Sequence, residues 1–119
     1  MSDELCKETI AALAPRLARR EISPTELTQA TLERIQRFNP TLNAFITVTA
    51  EQALEQARGA EAEIAAGNYR GPLHGIPISL KNLYYTKGIR TTGGSKILAD
   101  WGPDHDSAVG ERQIGRAHV

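Results

Sequence analysis

Lys81 is the residue of this chain best suited to chemistry. It ends the short apolar run Ile76–Leu80, which two turn signals, Gly71-Pro72 and Gly75, precede. An amine held at a strand end on the floor of a cleft loses hydration, and desolvation favours its neutral form. A neutral amine accepts protons, so the pattern indicates a general base. From one lysine alone, however, a solvated side chain at a strand end is the better interpretation, and the surrounding sequence must decide.

The histidines of the chain do not form a metal-binding pattern. His74 has no second ligand at suitable spacing, and we interpret it as a structural residue of a turn. His105 lies between Asp104 and Asp106, which is more typical of a solvated loop. The sequence therefore predicts no metal and no other cofactor.

No nucleophile motif appears in the chain. Ser79 and Ser95 lack the strained strand–turn–helix setting that exposes such a serine. The segment Thr91–Ser95 lacks the Gly-Lys-Ser/Thr ending of a phosphate-binding loop, so we interpret it as a loop beneath the active site.

Composition narrows the classes of partner. The 119 residues carry 14 basic and 14 acidic side chains, and only 5% are aromatic, so neither a nucleic-acid surface nor a base-stacking platform is expected. There is no secretory signal and no apolar run that would span a bilayer. The single cysteine, Cys6, excludes an internal disulfide, which favours a reducing cytoplasm.

Two amphipathic helices are predicted in the first 40 residues. The first is expected to kink or break at Pro15. The second begins at a capping box of Ser23 and Glu26, with Pro24 at its first position, and is expected to stop at Asn39-Pro40. The apolar faces, at helical spacing, consist of Cys6, Ile10, Leu13 and Leu17 in the first helix and Leu27, Thr31, Ile35 and Phe38 in the second.

A third helix lies between two predicted strands. It starts after Thr49, with Gln52 at the capping-box position, and ends at Gly67-Asn68. The strands are Ala44–Val48 and Ile76–Leu80. Strand, helix and strand favour a right-handed parallel unit, and hence an α/β fold whose sheet needs more strands than these two. The packing face of the third helix is small and apolar: Ala53, Ala57, Ala60 and Ile64.

Several separated segments resemble, in order, the amidase signature family. The match around Lys81 is the most specific, because Gly71–Lys81 followed by Thr91–Ser95 resembles the region of the family's catalytic lysine. The other matching segments are residues 24–27, 32–35, 39–45 and 103–109.

The resemblance implies a fold and an activity. The family fold is a large mixed sheet flanked by helices, and its members hydrolyse or transfer amide groups through a Ser-Ser-Lys triad. Lys81 would be the triad lysine, whereas both serines would lie downstream of this chain. Asn82 departs from the family pattern, in which aspartate commonly follows the lysine, and an amide in place of a carboxylate is expected to alter the pKa of Lys81.

The end of the chain breaks the preceding pattern. Back-translation of residues 113–119 resembles a sequencing adapter with an in-frame stop. We therefore expect residues 1–112 to be the truncated N-terminal part of an amidase domain, and residues 113–119 to be a non-native tail from adapter read-through.

The expected function is amide hydrolysis by the parent protein, with this chain itself inactive. A small-molecule amide is the favoured substrate. One alternative is glutamine hydrolysis by a protein like the A-type subunit of an amidotransferase, acting with partner subunits in tRNA-dependent amidation. Another, from a different class, is a short non-catalytic helical interaction module.

Overall fold

The computed structural model describes residues 2–45, 48–79 and 117–118, in which four helices and one short strand pair occur. The helices are α1 (Ser2–Cys6), α2 (Ile10–Ala18), α3 (Pro24–Leu42) and α4 (Ala50–Ala65), and the strands are β1 (Pro77–Ile78) and β2 (Ala117–His118). All belong to one unit, residues 1–78 with 115–119; of the second unit, residues 79–114, only Ser79 is described.

The first predicted helix is two helices, and it is not broken at Pro15. The interruption lies at residues 7–9, where the hydroxyl of Thr9 accepts a hydrogen bond from the backbone N–H of Ala12 at 3.1 Å and caps α2. Pro15 lies inside α2, where it removes one N–H donor without ending the helix, which continues to Ala18. Because of this break, the apolar face predicted for the first helix is not continuous. Cys6 is half-buried and Ile10 is exposed.

Helix α3 begins as predicted but ends three residues beyond Asn39. The hydroxyl of Ser23 accepts from the backbone N–H of Glu26 at 3.0 Å, and Pro24 occupies the first turn. The predicted stop at Asn39-Pro40 is wrong, because the helix continues through Pro40 to Leu42. It ends at Asn43, whose left-handed backbone (φ 52°) asparagine tolerates better than most residues do.

The predicted strand at Ala44–Val48 is not found in its described residues, Ala44, Phe45 and Val48. The side chain of Asn39 accounts for this at Phe45. Its Oδ1 accepts from the backbone N–H of Phe45 at 2.8 Å, and its Nδ2 donates to the carbonyl of Phe45 at 3.2 Å. Because one side chain bonds both its N–H and its carbonyl, Phe45 has no free N–H to donate to a neighbouring strand. The strand–helix–strand unit around α4 is therefore not observed in the described residues.

Helix α4 matches its predicted face and end. Ala53, Ala57, Ala60 and Ile64 are buried, and α4 packs against α3 and β2. Beyond the helix, Gly67 (φ 88°) donates to Ile64 O at 3.0 Å and Asn68 donates to Glu63 O at 2.9 Å. This is a glycine-terminated helix end.

One hydrophobic cluster connects α2, α3 and the residue before β1. Leu17 and Leu27 are its most buried members, and Leu5 of α1 packs against it. The cluster consists of Leu13, Leu17, Ile22, Leu27 and Ile76. Ile76 thus anchors the start of β1 in the core.

The strand after the turn is shorter than the predicted Ile76–Leu80. Only Pro77 and Ile78 pair, in parallel register with Ala117 and His118. Ile76 and Ser79 lie outside the strand, and Leu80 is outside the described residues. The larger mixed sheet stays a prediction, as does the origin of residues 113–119, within which β2 lies. None of the helices in the described ranges has the length and apolar character that a bilayer span requires.

Candidate functional site

Lys81, the predicted general base, lies outside the described residues, as do Asn82, Thr91–Ser95 and His105. Its role stays a prediction. The described structure reaches the chain immediately before it: the turn Gly71–Ile76, strand β1 and Ser79, which is exposed. The geometry of this approach segment is therefore what the structure contributes to the site.

Two backbone hydrogen bonds close the turn Gly71–Ile76, which we call the approach turn. The N–H of His74 donates to the carbonyl of Gly71 at 3.0 Å, and the N–H of Ile76 donates to the carbonyl of Leu73 at 3.2 Å. These bonds confirm the interpretation of His74 as a turn residue. The segment 71–76, which contains the turn signals Gly71-Pro72 and Gly75, is thus an internally bonded turn.

The ring of His74 is buried under this turn and contacts the end of α4. Its side chain is 0% exposed. Nδ1 accepts a hydrogen bond from the backbone N–H of Arg70 at 3.1 Å. Nε2 lies 3.4 Å from Oε2 of Glu63, and the ring stacks on Tyr69 at a centroid distance of 6.0 Å. Both ring nitrogens therefore face specific polar groups of the protein.

The charges around His74 are Glu63 on α4 and Arg70 in the following loop. Glu63 Oε2 is 2.8 Å from Arg70 Nε, although this contact and the one to His74 lack hydrogen-bond geometry. Burial lowers the pKa of His74 from its ordinary 6.5, Glu63 opposes this effect, and Arg70 adds to it. The imidazole is thus held in its neutral form.

Gly75 brings the approach turn into contact with α3. Its φ is 80°, and a Cβ built there would lie 2.8 Å from Cγ of Pro24 and 3.8 Å from Cδ1 of Ile64. A side chain would meet both the unfavourable backbone region and the proline ring. The turn therefore fits closely between the start of α3 and the end of α4.

Glu63 and Arg70 were not predicted as functional residues. Seven positions separate them, and the helix end at Gly67 reverses the chain so that they meet. The sequence does show opposite charges on either side of a predicted glycine C-cap, which could have indicated this contact. The pattern is too common on protein surfaces to single out a pair. In the part of the chain that is described, no group of three His, Cys, Asp or Glu residues is arranged to hold a metal ion.

Comparison with known proteins identifies a family. The family model described as Amidase matches residues 26–114. Among curated proteins, the chain is 51% identical over 106 residues to the A-type subunit of the glutamyl-tRNA(Gln) amidotransferase of Methylococcus capsulatus, and 54% identical over 104 residues to that of Azotobacter vinelandii. These alignments cover 89% and 87% of this chain but only 22% and 21% of the relatives. The chain thus spans about a fifth of the length of these relatives.

Solved structures of amidases resemble the chain closely. The native peptide amidase of Stenotrophomonas maltophilia superposes with a TM-score of 0.87 at 34% identity, over 95% of this chain and 24% of that one. A fatty acid amide hydrolase superposes with a TM-score of 0.91 at 25% identity, over 98% of this chain and 21% of that one. The shared fold belongs to the α/β class, as the sequence predicts.

Proposed function

The chain belongs to the amidase signature family, and on that premise we propose that the protein of which it forms a part hydrolyses a carboxylic amide with Lys81 as general base. The observation that carries this proposal is the family match over residues 26–114, which contains Lys81. The segment Gly71–Lys81 supports the assignment of the base.

In the proposed mechanism, neutral Lys81 accepts a proton from a relay serine, which in turn accepts the proton of the nucleophilic serine. The activated hydroxyl attacks the amide carbon, and backbone N–H groups stabilise the oxyanion that forms. The carbon–nitrogen bond then breaks, the proton leaves with the amine or ammonia, and water hydrolyses the acyl-serine. We propose that both serines lie in a Gly/Ser-rich segment downstream of these 119 residues.

We propose glutamine as the substrate, hydrolysed in an assembly with partner subunits that amidates a charged tRNA. Identities of 51% and 54% to A-type subunits of glutamyl-tRNA(Gln) amidotransferases support this choice over a free amidase. It reverses the preference that composition alone suggested. A free amidase acting on a small amide is the second candidate, favoured by the 34% identity to a peptide amidase.

The first experiment is to read the source DNA beyond codon 112. Continuation of the open frame into a Gly/Ser-rich segment yields the full-length protein needed for every assay below. A natural stop codon after codon 119 would instead support the short interaction module and contradict the enzyme.

The test of the base is Lys81→Ala in the full-length protein. Removing a general base costs typically 100-fold or more in rate, so amide hydrolysis should fall by at least ~100-fold while the circular dichroism spectrum stays unchanged. The matched control is Lys7→Ala, at an exposed lysine outside the helices. Near-normal turnover by a folded Lys81→Ala protein would contradict the assignment.

Ammonia release separates the two substrates. The proposal predicts release from glutamine only when the partner subunits are present. Partner-independent release from simple amides, with no co-purifying subunit, would replace glutamine with the free-amidase candidate.

A further inference from the structure

His74 is a fully buried titratable side chain that the proposed mechanism does not use. Because its side chain is 0% exposed, it cannot touch a substrate, and it is not a catalytic residue in the strict sense. A buried imidazole in a turn, with each nitrogen facing a different polar group, calls for an explanation beyond filling space.

The contacts of the ring select one tautomer. Nδ1 accepts from the N–H of Arg70 at 3.1 Å, so Nδ1 carries no hydrogen. The hydrogen of the neutral ring is then on Nε2, which faces the carboxylate of Glu63 at 3.4 Å. The Nδ1 bond has good geometry, whereas the Nε2 contact is an electrostatic one of poorer geometry. The bond to Arg70 is therefore the stronger constraint.

The residues next to His74 extend this constraint to β1. Gly75 packs on Pro24 at the start of α3, and Ile76 is buried in the core with Leu17 and Leu27. Strand β1 begins at the next residue, Pro77. In the sequence, Lys81 follows the last residue of β1 by three positions. The His74 ring thus ties the turn from which this strand departs to the loop and helix behind it.

We propose that His74 is a positioning residue whose neutral Nε2–H tautomer, bonded to the Arg70 N–H, holds the turn that directs β1 and the chain leading to Lys81. This inference rests on the proposed role of Lys81. A misplacement of about 1 Å can cost as much as ~100-fold in rate, so a distant buried ring can affect turnover without touching the substrate.

A pH dependence follows from the same geometry. The groups facing His74 are Glu63, Arg70 and Tyr69. A protonated ring has a hydrogen on Nδ1 and cannot accept from the Arg70 N–H. The unfolded histidine takes up its proton near its ordinary pKa of 6.5, while burial holds the pKa of the folded residue lower. The stabilisation is therefore present above pH 6.5 and is lost as pH falls through the folded pKa.

Three variants of the full-length protein separate the two ring contacts. His74→Asn places an amide oxygen where Nδ1 accepts, His74→Gln places an amide N–H near Nε2, and His74→Leu removes both. We expect His74→Leu and His74→Gln to lower kcat roughly 10- to 100-fold with little change in KM, and His74→Asn to retain most of kcat. The control is His105→Asn, the same substitution at a histidine predicted to lie in a solvated loop.

The pH profile of kcat provides the second readout. Activity should fall on the acid side both because the base Lys81 protonates and because His74 does. Only the second loss should be weaker in His74→Asn, so the readout is the difference between the two profiles. Unchanged kcat in a folded His74→Leu variant, or equal losses in the Asn and Leu variants, would overturn the proposal.

Nitrogen NMR of the histidine rings in the wild-type full-length protein tests the tautomer without any variant that must fold. A neutral Nε2–H ring at pH 7 is expected, and an Nδ1–H or charged ring would overturn the proposal. Lys81→Ala serves as the reference in every assay. If Lys81→Ala is active, the proposed function fails; if it is inactive while His74→Leu behaves as wild type, only the positioning role fails.

Discussion

At the scale of single residues, the approach turn depends on a few positions that tolerate little change. His74 is buried with both nitrogens facing polar groups, and Gly75 combines a positive φ with contact to Pro24. These residues precede the predicted base in the sequence. Few other residue types would fit at their positions, although neither residue takes part in the proposed reaction.

Gly75→Ala should destabilise the full-length protein more than Gly67→Ala does. Both glycines have positive φ (80° and 88°), so each alanine meets the left-handed backbone penalty of about 1–2 kcal/mol. Only at Gly75 would the new Cβ also meet another group, Pro24 Cγ at 2.8 Å, because nothing lies within 4 Å at Gly67. Urea unfolding of the two variants measures the difference. Equal losses of stability would contradict the close packing of the turn on α3.

At the scale of elements, capping residues define where α2 and α3 begin, whereas the prolines inside them do not interrupt them. Thr9 and Ser23 accept backbone hydrogen bonds at the starts of α2 and α3. Pro15 and Pro40 lie inside helices. A proline inside a helix removes one donor and crowds the carbonyl four residues earlier, at a cost of about 3 kcal/mol or more. Packing of α2 and α3 against their neighbours must offset this cost.

Gly59→Ala should stabilise the protein through helix α4. Gly59 lies mid-helix and exposed, and no atom lies within 4 Å of an added Cβ. Alanine at such a position is more favourable than glycine by about 0.5–1 kcal/mol. The thermal midpoint of the full-length variant should rise. A lower midpoint would mean that this stretch of α4 packs differently from the described structure.

At the scale of the whole molecule, the hydrophobic clusters within the described residues are small. The main cluster holds five buried side chains, and a second cluster consists of two alanines, Ala53 and Ala57. Alanines bury little area, and ordering each residue costs about 1–2 kcal/mol in conformational entropy. The larger mixed sheet, which stays a prediction, would give these helices a further surface to pack against.

Residues 1–119 by themselves should therefore be catalytically silent and should lack a cooperative unfolding transition. They contain one proposed triad member, and their described strands are two residues long, too short to form a stable sheet. Differential scanning calorimetry and amide NMR of the purified chain check this. A sharp transition with dispersed resonances would contradict it, as would amidase activity that Lys81→Ala abolishes.

The sequence by itself determined the features that depend on neighbours along the chain, and tertiary structure decided those that depend on distant contacts. The Ser23 cap, the alanine face of α4 and the helix end at Gly67 were all predicted, because capping and periodicity act within one or two turns.

The order of the motifs around Lys81 likewise indicated the family, although the placement of Lys81 itself stays a prediction. Three outcomes were not predictable. Helix α3 continues through Pro40, the side chain of Asn39 is hydrogen-bonded to the backbone of Phe45, and His74 contacts Glu63. Each depends on a chain reversal or on packing that brings separated groups together, and no local signal encodes that proximity.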